Sequence, residues 1–320
     1  DSFGLSAEVW QASTRLSLSN TFGHAEGLNL SPPQGPRWSR KALAPRMHFI
    51  NCHGAQDMPE YYGQRGEDYP VAHRSALIRD QITAGTVVAA ECCYGAQLFD
   101  PQLAGGQWPM ALRYLADGAC AFLGSSTIAY GPSEGNGSAD LICQYFLQRL
   151  LAGASLGRAL LEARQKFAGE RTHLDPMDLK TLAQFYLLGD PSLQPVGYAG
   201  HALSRTSAFK KAFAQVQDRG VRGLRRERLQ REGSHLQRAL PRLRPLEAEP
   251  AAAVLQAVLP MLRESGLQPA QCSRISYSVQ GAPGVRRIHL YKGWVEERLL
   301  ALVATEQDGQ LLHVRRMHAR

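Results

Sequence analysis

The sequence predicts an α/β fold in which a parallel sheet carries helices on both faces, followed by a small C-terminal α+β module. Apolar runs at residues 46–52, 86–91 and 119–124 alternate with helical patterns. This alternation is typical of βαβ units and a parallel sheet. From about residue 248 the composition changes, and two apolar runs flank Asp308-Gly309, a hairpin turn signal because both residue types tolerate positive φ.

Patterning along the first part of the chain predicts four strands and four helices. Short apolar runs bounded by turn residues indicate the strands, and Ser155 is a candidate N-cap for the last helix. The strands are expected at 46–52, 86–91, 119–124 and 185–188, and the helices at 72–84, 110–117, 138–152 and 155–168. Residues 1–45 have little periodicity and a Pro/Gly-rich patch, so we expect mostly loop there, with at most one short strand or helix.

These patterns divide the chain into four parts. The predicted parts are an N-terminal lead segment that forms a partial subdomain (1–45), an α/β core (46–197), a basic helical linker (198–247) and a small α+β domain (248–320). In the last part the pattern predicts one amphipathic helix and antiparallel strands. The helix is expected at 250–266 and the strands at 274–279, 286–292, 297–305 and 310–318.

The positive charge of the chain is concentrated in the predicted linker. Residues 201–250 hold 12 Lys/Arg and 5 Asp/Glu, so they supply most of the net charge of +8. Such a segment forms either a solvated helical linker or a docking surface, and residues 203–245 are a possible site for an acidic partner. Nucleic acid is not expected as a partner, because little else in the sequence supports it.

Membrane, metal and cofactor functions are not expected from this sequence. No apolar run reaches the 18 or so residues that a membrane span needs, and no secretory signal opens the chain. The six cysteines have neither disulfide-framework nor zinc-site spacing, and no phosphate-binding glycine loop is present. We therefore expect reduced thiols, a cytoplasmic location, and no metal or cofactor.

Two predicted strands end on residues that can act together in nucleophilic catalysis. The first ends at His53-Gly54, and the second ends at Cys92-Cys93 with Gly95 close behind. The carboxyl ends of strands in an open α/β sheet are where ligands bind, and a His beside a Cys can form a nucleophile and acid/base pair. The N–H of Gly54 can face a developing oxyanion, and Gly95 is expected to permit the turn that exposes the thiol.

These motifs resemble those of the caspase-like superfamily of cysteine peptidases. His-Gly followed by a strand that ends in acid/amide–small–Cys–x–Gly carries the resemblance. The segment LGSSTI at 123–128 and the ending LGDPSL at 188–193 make the chain most similar to the gingipain-type catalytic domain, over roughly residues 46–196. The resemblance implies a caspase-like parallel-sheet sandwich.

The resemblance also implies roles for particular residues. His53 would be the catalytic histidine, Gly54 would contribute to the oxyanion hole, and Cys93 would be the nucleophile, with Cys92 as the alternative. The loop after the third strand would shape the first specificity pocket. The candidates for that pocket are Tyr130, Ser126 and Glu134. Glu134 or Asp57 at the pocket floor would favour a basic side chain in the substrate.

The predicted function is therefore a cysteine endopeptidase that acts on a protein or peptide through an acyl-enzyme, regulated by its C-terminal module. The alternative is a non-catalytic caspase-like scaffold for protein–protein interaction, although a scaffold has no physical need for both the His-Gly and the Cys motif. The chain departs from the family in two respects. Few residues precede the His strand, where the family has a further strand and helix, and the C-terminal part does not resemble the family's immunoglobulin-like domain.

Overall fold

A computed structural model describes residues 1–132, 134–171, 174–197, 242–280, 284–295 and 298–319. The helices are α1 (Gln11–Phe22), α2 (Met110–Ala116), α3 (Ser138–Leu151), α4 (Leu156–Gly169), α5 (Pro176–Gln184) and α6 (Ala252–Glu264). The strands are β1 (Ser2–Ala7), β2 (Leu28–Ser31), β3 (Met47–Asn51), β4 (His53–Gly54), β5 (Glu60–Tyr62), β6 (Val71–Arg74), β7 (Val87–Ala90), β8 (Ala121–Ser125), β9 (Tyr130–Gly131), β10 (Phe185–Gly189), β11 (Arg242–Leu246), β12 (Ser273–Gln280), β13 (Arg286–Val295), β14 (Arg298–Gln307) and β15 (Gln310–Ala319).

The central sheet has six strands in the order β10-β8-β7-β3-β1-β2. All neighbouring strands pair in parallel except β10, which runs antiparallel to β8. Helices α1, α3 and α4 cover one face, while α2 and the three-stranded sheet β4-β5-β6 cover the other. The prediction of a caspase-like parallel-sheet sandwich with helices on both faces is confirmed.

Alternation along the strands separates two hydrophobic cores. On β7, Val87 and Ala89 face the core that contains α3 and α4, whereas Val88 and Ala90 face the core that contains α2. Side chains of a strand point alternately to its two faces, so a strand buried on both faces is apolar throughout. This explains why the β3 and β7 sequences are continuous apolar runs.

The N-terminal segment is more structured than the sequence predicted. Strands β1 and β2 and helix α1 all lie within residues 1–45, and β1 pairs with β3 at the centre of the sheet. The expectation of mostly loop was therefore wrong, and the strand and helix that the family places before the His strand are present. The buried face of α1 consists largely of Ser13, Thr14 and Ser17, so the helix has no apolar periodicity to reveal it.

Two other local predictions in the core were wrong. Residues 72–84 do not form a helix, because β6 occupies its start and Asp80 has a positive φ of 61°. Ile78 and Ile82 are buried at a spacing that imitates a helical face. Helix α5 was missed, although Asp175 caps its N-terminus and Pro176 follows at the first helical position.

The C-terminal module agrees with the predicted helix and antiparallel strands. Its six-stranded sheet has the order β11-β12-β13-β14-β15-β9, and α6 packs on one face. Asp308 and Gly309 form the predicted hairpin turn with φ values of 50° and 81°. Most of the basic segment lies outside the described residues, but its end, β11, is a strand where the sequence predicted a helix.

The module is joined to the α/β core at β9. Ala319 and His318 of β15 pair with Tyr130 and Gly131 of β9, which follows β8 along the chain. Near this junction Arg315 forms ion pairs with Asp175 and Asp178 at the N-terminus of α5. Both carboxylates are almost completely buried, so these ion pairs link the C-terminal module to the α/β core through buried groups.

No helix in the described part of the chain is both long and apolar enough to cross a membrane.

The α2-side core contains two histidines that should make the fold sensitive to acid. The hydroxyl of Tyr114 lies 3.1 Å from Nδ1 of His48 and 2.9 Å from Nε2 of His73. Burial lowers the pKa of His48 to about 4, and burial, followed by the charge of His48, lowers the pKa of His73 to about 3. Both imidazoles are therefore neutral in the folded protein near neutral pH.

We predict that the free energy of unfolding decreases as the pH falls from about 6.5 towards 4. In this range the unfolded chain binds protons that the folded chain excludes, so each histidine costs about 1.4 kcal/mol per pH unit. Urea unfolding at a series of pH values measures this slope. His73→Phe should reduce it by about 1.4 kcal/mol per pH unit, whereas replacement of the exposed His24 by Gln should leave it unchanged. If the slope of unfolding free energy against pH were the same in His73→Phe as in wild type, the prediction would be contradicted.

Candidate active site

The register of β3 and β7 brings the two predicted catalytic motifs together. Ile50 pairs with Ala90, so His53 and Cys93 each lie three residues beyond the same level of the sheet. A Cβ atom at position 54 would lie 1.9 Å from the carbonyl oxygen of Cys93. Only glycine permits this approach, because real Cβ atoms do not come so close to backbone oxygen. The two strand ends are therefore in direct backbone contact.

The side chains of Gln64, Trp10 and Tyr69 contact the imidazole of His53. Its Nε2 lies 2.8 Å from Oε1 of Gln64, a residue that is 1% exposed. The ring of Trp10 lies on one side, with a centroid distance of 4.3 Å, and Tyr69 makes an edge contact at 5.2 Å. Trp10 ends the short 3₁₀ helix Glu8–Trp10 that follows β1, so the segment after the N-terminal strand also supplies a wall of the site.

The two candidate nucleophiles have different surroundings. Cys92 is fully buried in the α2-side core, where burial raises the pKa of its thiol well above the ordinary value. Cys93 belongs to neither core and retains 5% exposure. Its Sγ lies 3.5 Å from the carbonyl oxygen of Ala129, the hydrogen-bond acceptor for the thiol. Cys92 thus belongs to the core, whereas Cys93 lies outside both cores.

The loop that follows β8 passes beside Cys93 and is fixed by several bonds to its backbone carbonyls. The N–H of Tyr94 donates to Thr127 at 2.8 Å, and Nζ of Lys180 donates to Ile128 at 2.8 Å. Burial lowers the pKa of Lys180 to about 8, while charge on Cys93 opposes this shift. A protonated Lys180 therefore contributes positive charge near the thiol, which favours a thiolate.

The predicted pocket residues lie at different depths around this loop. Tyr130 is 2% exposed and adjoins Ala129, and burial together with charge on Cys93 raises its pKa. Ser126 is partly buried and its N–H donates to the carbonyl of Gln184 at 3.1 Å. Glu134 is exposed. The carboxylate of Asp57 accepts a hydrogen bond of 3.0 Å from Gln97, on the segment after Cys93.

The turn after the nucleophile is formed differently from the prediction. Tyr94 has the positive φ, 53°, whereas Gly95 does not have a left-handed conformation. A Cβ atom at position 95 would lie 2.9 Å from the carbonyl oxygen of Cys92, so glycine is favoured there by close packing. Gly95 therefore permits the turn through its close approach to Cys92, to whose carbonyl its N–H donates at 3.0 Å, and not through a left-handed conformation.

Sequence reasoning missed Gln64, Trp10 and Lys180. Each reaches the site from an element that was not predicted or from a loop, and none lies in a recognisable motif. The Asp-Pro start of α5 was the one available signal, since recognising that helix would have placed Lys180 on it. Among the described residues, no group of His, Cys, Asp or Glu has the geometry to hold a metal ion.

Comparison with known proteins defines the class of this site. Residues 73–196 match the sequence model of peptidase family C25, the gingipain family. The match covers less than half of the chain; it includes Cys93 and begins after His53. It identifies the chain as a cysteine-type peptidase, a hydrolase of proteins or peptides. A search of curated protein sequences gave no significant match.

The close packing at Gly54 leads to a prediction about activity. We expect Gly54→Ala to lower kcat/KM by about 10²-fold, because the added methyl group pushes the His53 and Cys93 strand ends apart. Alanine retains the backbone N–H, so the loss would report on packing. Cleavage of a peptide library before and after the substitution measures it.

Gly169→Ala is the matched control, because a Cβ atom there meets no atom within 4 Å. Thermal unfolding of both variants should show that they remain folded at the assay temperature. Unchanged kcat/KM in a folded Gly54→Ala protein would contradict the proposed contact between the strand ends.

Proposed function

We propose that the protein is a cysteine endopeptidase in which Cys93 and His53 form the catalytic dyad. The observation that carries this proposal is the contact of the two strand ends, where Gly54 packs against the carbonyl of Cys93. The family match supports a cysteine-type peptidase but does not extend to His53. The assignment of the dyad therefore depends on geometry, burial and the chemistry of the two side chains.

The dyad performs the two steps of acyl transfer. Cys93 transfers its proton to His53, and its sulfur attacks the carbonyl carbon of the scissile peptide bond. The N–H groups of Gly54 and Cys93 are the candidate donors to the resulting oxyanion. The C–N bond then breaks as His53 protonates the leaving amine. Water, activated by His53, attacks the thioester and regenerates the thiol.

Burial favours Cys93 over Cys92 as the nucleophile. Desolvation raises the pKa of Cys92 and therefore disfavours the thiolate that reaction requires. Cys93 is also buried but retains 5% exposure and has the electrostatic influence of Lys180. On these grounds we assign Cys92 to the core and propose that Cys93 contacts the substrate.

Tyr130, Ser126 and the loop that contains them are proposed to form the first specificity pocket. Asp57 is fixed by Gln97 close to the nucleophile segment, whereas Glu134 is exposed. A carboxylate in this position would favour a basic substrate side chain. The cytoplasmic location and an acidic partner for residues 203–245 stay predictions.

The C-terminal module is proposed to restrict access to the site. Strand β15 pairs with the edge of β9. The first residue of β9 directly follows Ala129, whose carbonyl accepts the hydrogen bond of the Cys93 thiol. We infer that this edge narrows the approach of a peptide to Cys93. The ion pairs of Arg315 with Asp175 and Asp178 hold β15 there.

We predict that Cys93→Ala abolishes peptide cleavage without affecting the fold, because it removes the nucleophile from the edge of the core. Cys92→Ala should retain most activity and lose about 1 kcal/mol of stability through reduced packing. Cleavage of a protein substrate and urea unfolding measure the two effects. Retained activity in Cys93→Ala, with loss in Cys92→Ala, would reverse the assignment.

Selective alkylation tests the same proposal without a known substrate. Iodoacetamide should modify Cys93 faster than the other five cysteines, and His53→Ala should slow this modification. Peptide mass mapping identifies the labelled residue. Uniformly slow labelling of all six cysteines would favour the non-catalytic scaffold.

We predict that Arg315→Met increases kcat/KM several-fold, because it leaves Asp175 and Asp178 without this partner and loosens β15 from β9. The exposed neighbour Arg316 provides the matched control, and Arg316→Met should have no effect. Limited proteolysis measures the release of β15 in parallel. Reduced activity in a folded Arg315→Met protein would mean that the module supports the site and does not restrict it.

A further inference from the structure

We propose that Gln64 is a positioning residue that fixes the ring orientation and tautomer of His53. This inference rests on the proposed catalytic role of His53. Gln64 acts through the imidazole and does not contact the reacting sulfur. It reaches His53 from the segment between β5 and β6.

The geometry of Gln64 leaves its amide little freedom. Oε1 lies 2.8 Å from Nε2 of His53, while its own Nε2 donates to the carbonyl of Gly66 at 2.9 Å. Its backbone N–H donates to the carbonyl of Ser31 at 3.0 Å. Because the Gly66 carbonyl accepts from the amide nitrogen, the amide oxygen must face His53.

This orientation determines which nitrogen of His53 carries the proton. An amide oxygen only accepts hydrogen bonds, so Nε2 of His53 must be the donor. In the neutral imidazole the lone pair is therefore on Nδ1, and Nδ1 is the nitrogen that exchanges a proton with thiol and leaving group. The ring of Trp10 packs against His53 at an interplanar angle of 50° and limits tilting of the imidazole, so the hydrogen bond sets the remaining rotation.

A neutral acceptor also suits a histidine that must change its charge during the reaction. Both the imidazole and the imidazolium can donate from Nε2, so the bond to Gln64 persists through the cycle. A carboxylate in the same place would favour the imidazolium and delay return of the proton.

Other groups also lie close to His53. Tyr69 contacts the edge of the ring, and Cys93 lies at the adjacent strand end. Glu8 and Arg65, on the segments that carry Trp10 and Gln64, form an ion pair with each other. Their opposite charges largely compensate, so a change of charge at position 64 should be the dominant perturbation.

The test compares Gln64→Glu and Gln64→Leu with wild type. Cys93 alkylation and kcat/KM are each measured as a function of pH, and the midpoint of each curve reports the titration of His53. Gln64→Glu should raise this midpoint by about one pH unit, because the added carboxylate favours the imidazolium. Gln64→Leu should lower kcat by about 10²-fold with little change in KM, because the ring loses its orientation. Far-UV circular dichroism and thermal unfolding verify that each variant is folded.

Gln144→Leu is the matched control, since Gln144 is also a buried glutamine but lies on α3. The proposal is wrong if Gln64→Leu has the same kcat as Gln144→Leu, or if a folded Gln64→Glu keeps the wild-type midpoint. Failure of the proposed dyad gives a different result: His53→Ala would then leave Cys93 alkylation unchanged at every pH. That outcome would overturn both proposals.

Discussion

The arrangement of the site depends on the contact between the Gly54 backbone and the carbonyl of Cys93. Parallel pairing of β3 with β7 places the ends of both strands at the same edge of the sheet. Pairing alone does not bring the residues after the two strands into contact. The missing side chain at position 54 allows the two strand ends to meet. This close approach determines how near the backbone beside His53 comes to the backbone of Cys93.

The loop from Ser126 to Gly131 connects the site with the C-terminal module. On one side it accepts hydrogen bonds from Tyr94, Cys93 and Lys180, and on the other it becomes β9, which pairs with β15. A shift of β15 would therefore be transmitted to backbone that contacts the thiol. This continuity gives a physical route by which an appended sheet can influence a peptidase core.

Much of the fold could be predicted from the sequence because buried parallel strands and antiparallel hairpins leave strong local patterns. The strands that end at His53 and Cys93 are examples, and so is the Asp308-Gly309 turn. Helix α1 left no such pattern, since hydroxyl groups of Ser13 and Thr14 occupy its buried face. Gln64, Trp10 and Lys180 could not be predicted, because their roles arise from contacts between segments distant in sequence.

Strand alternation then determines which of several similar residues is available for chemistry. His48, Cys52 and Cys92 share one parity and face the α2-side core, where burial lowers the pKa of the imidazole and raises the pKa of both thiols. His53 and Cys93 have the opposite parity and leave that core. Desolvation suppresses the charged forms of the first group, so the polar pair beyond the strand ends is better suited to exchange a proton. The same alternation that builds two cores thus separates buried core side chains from the proposed dyad.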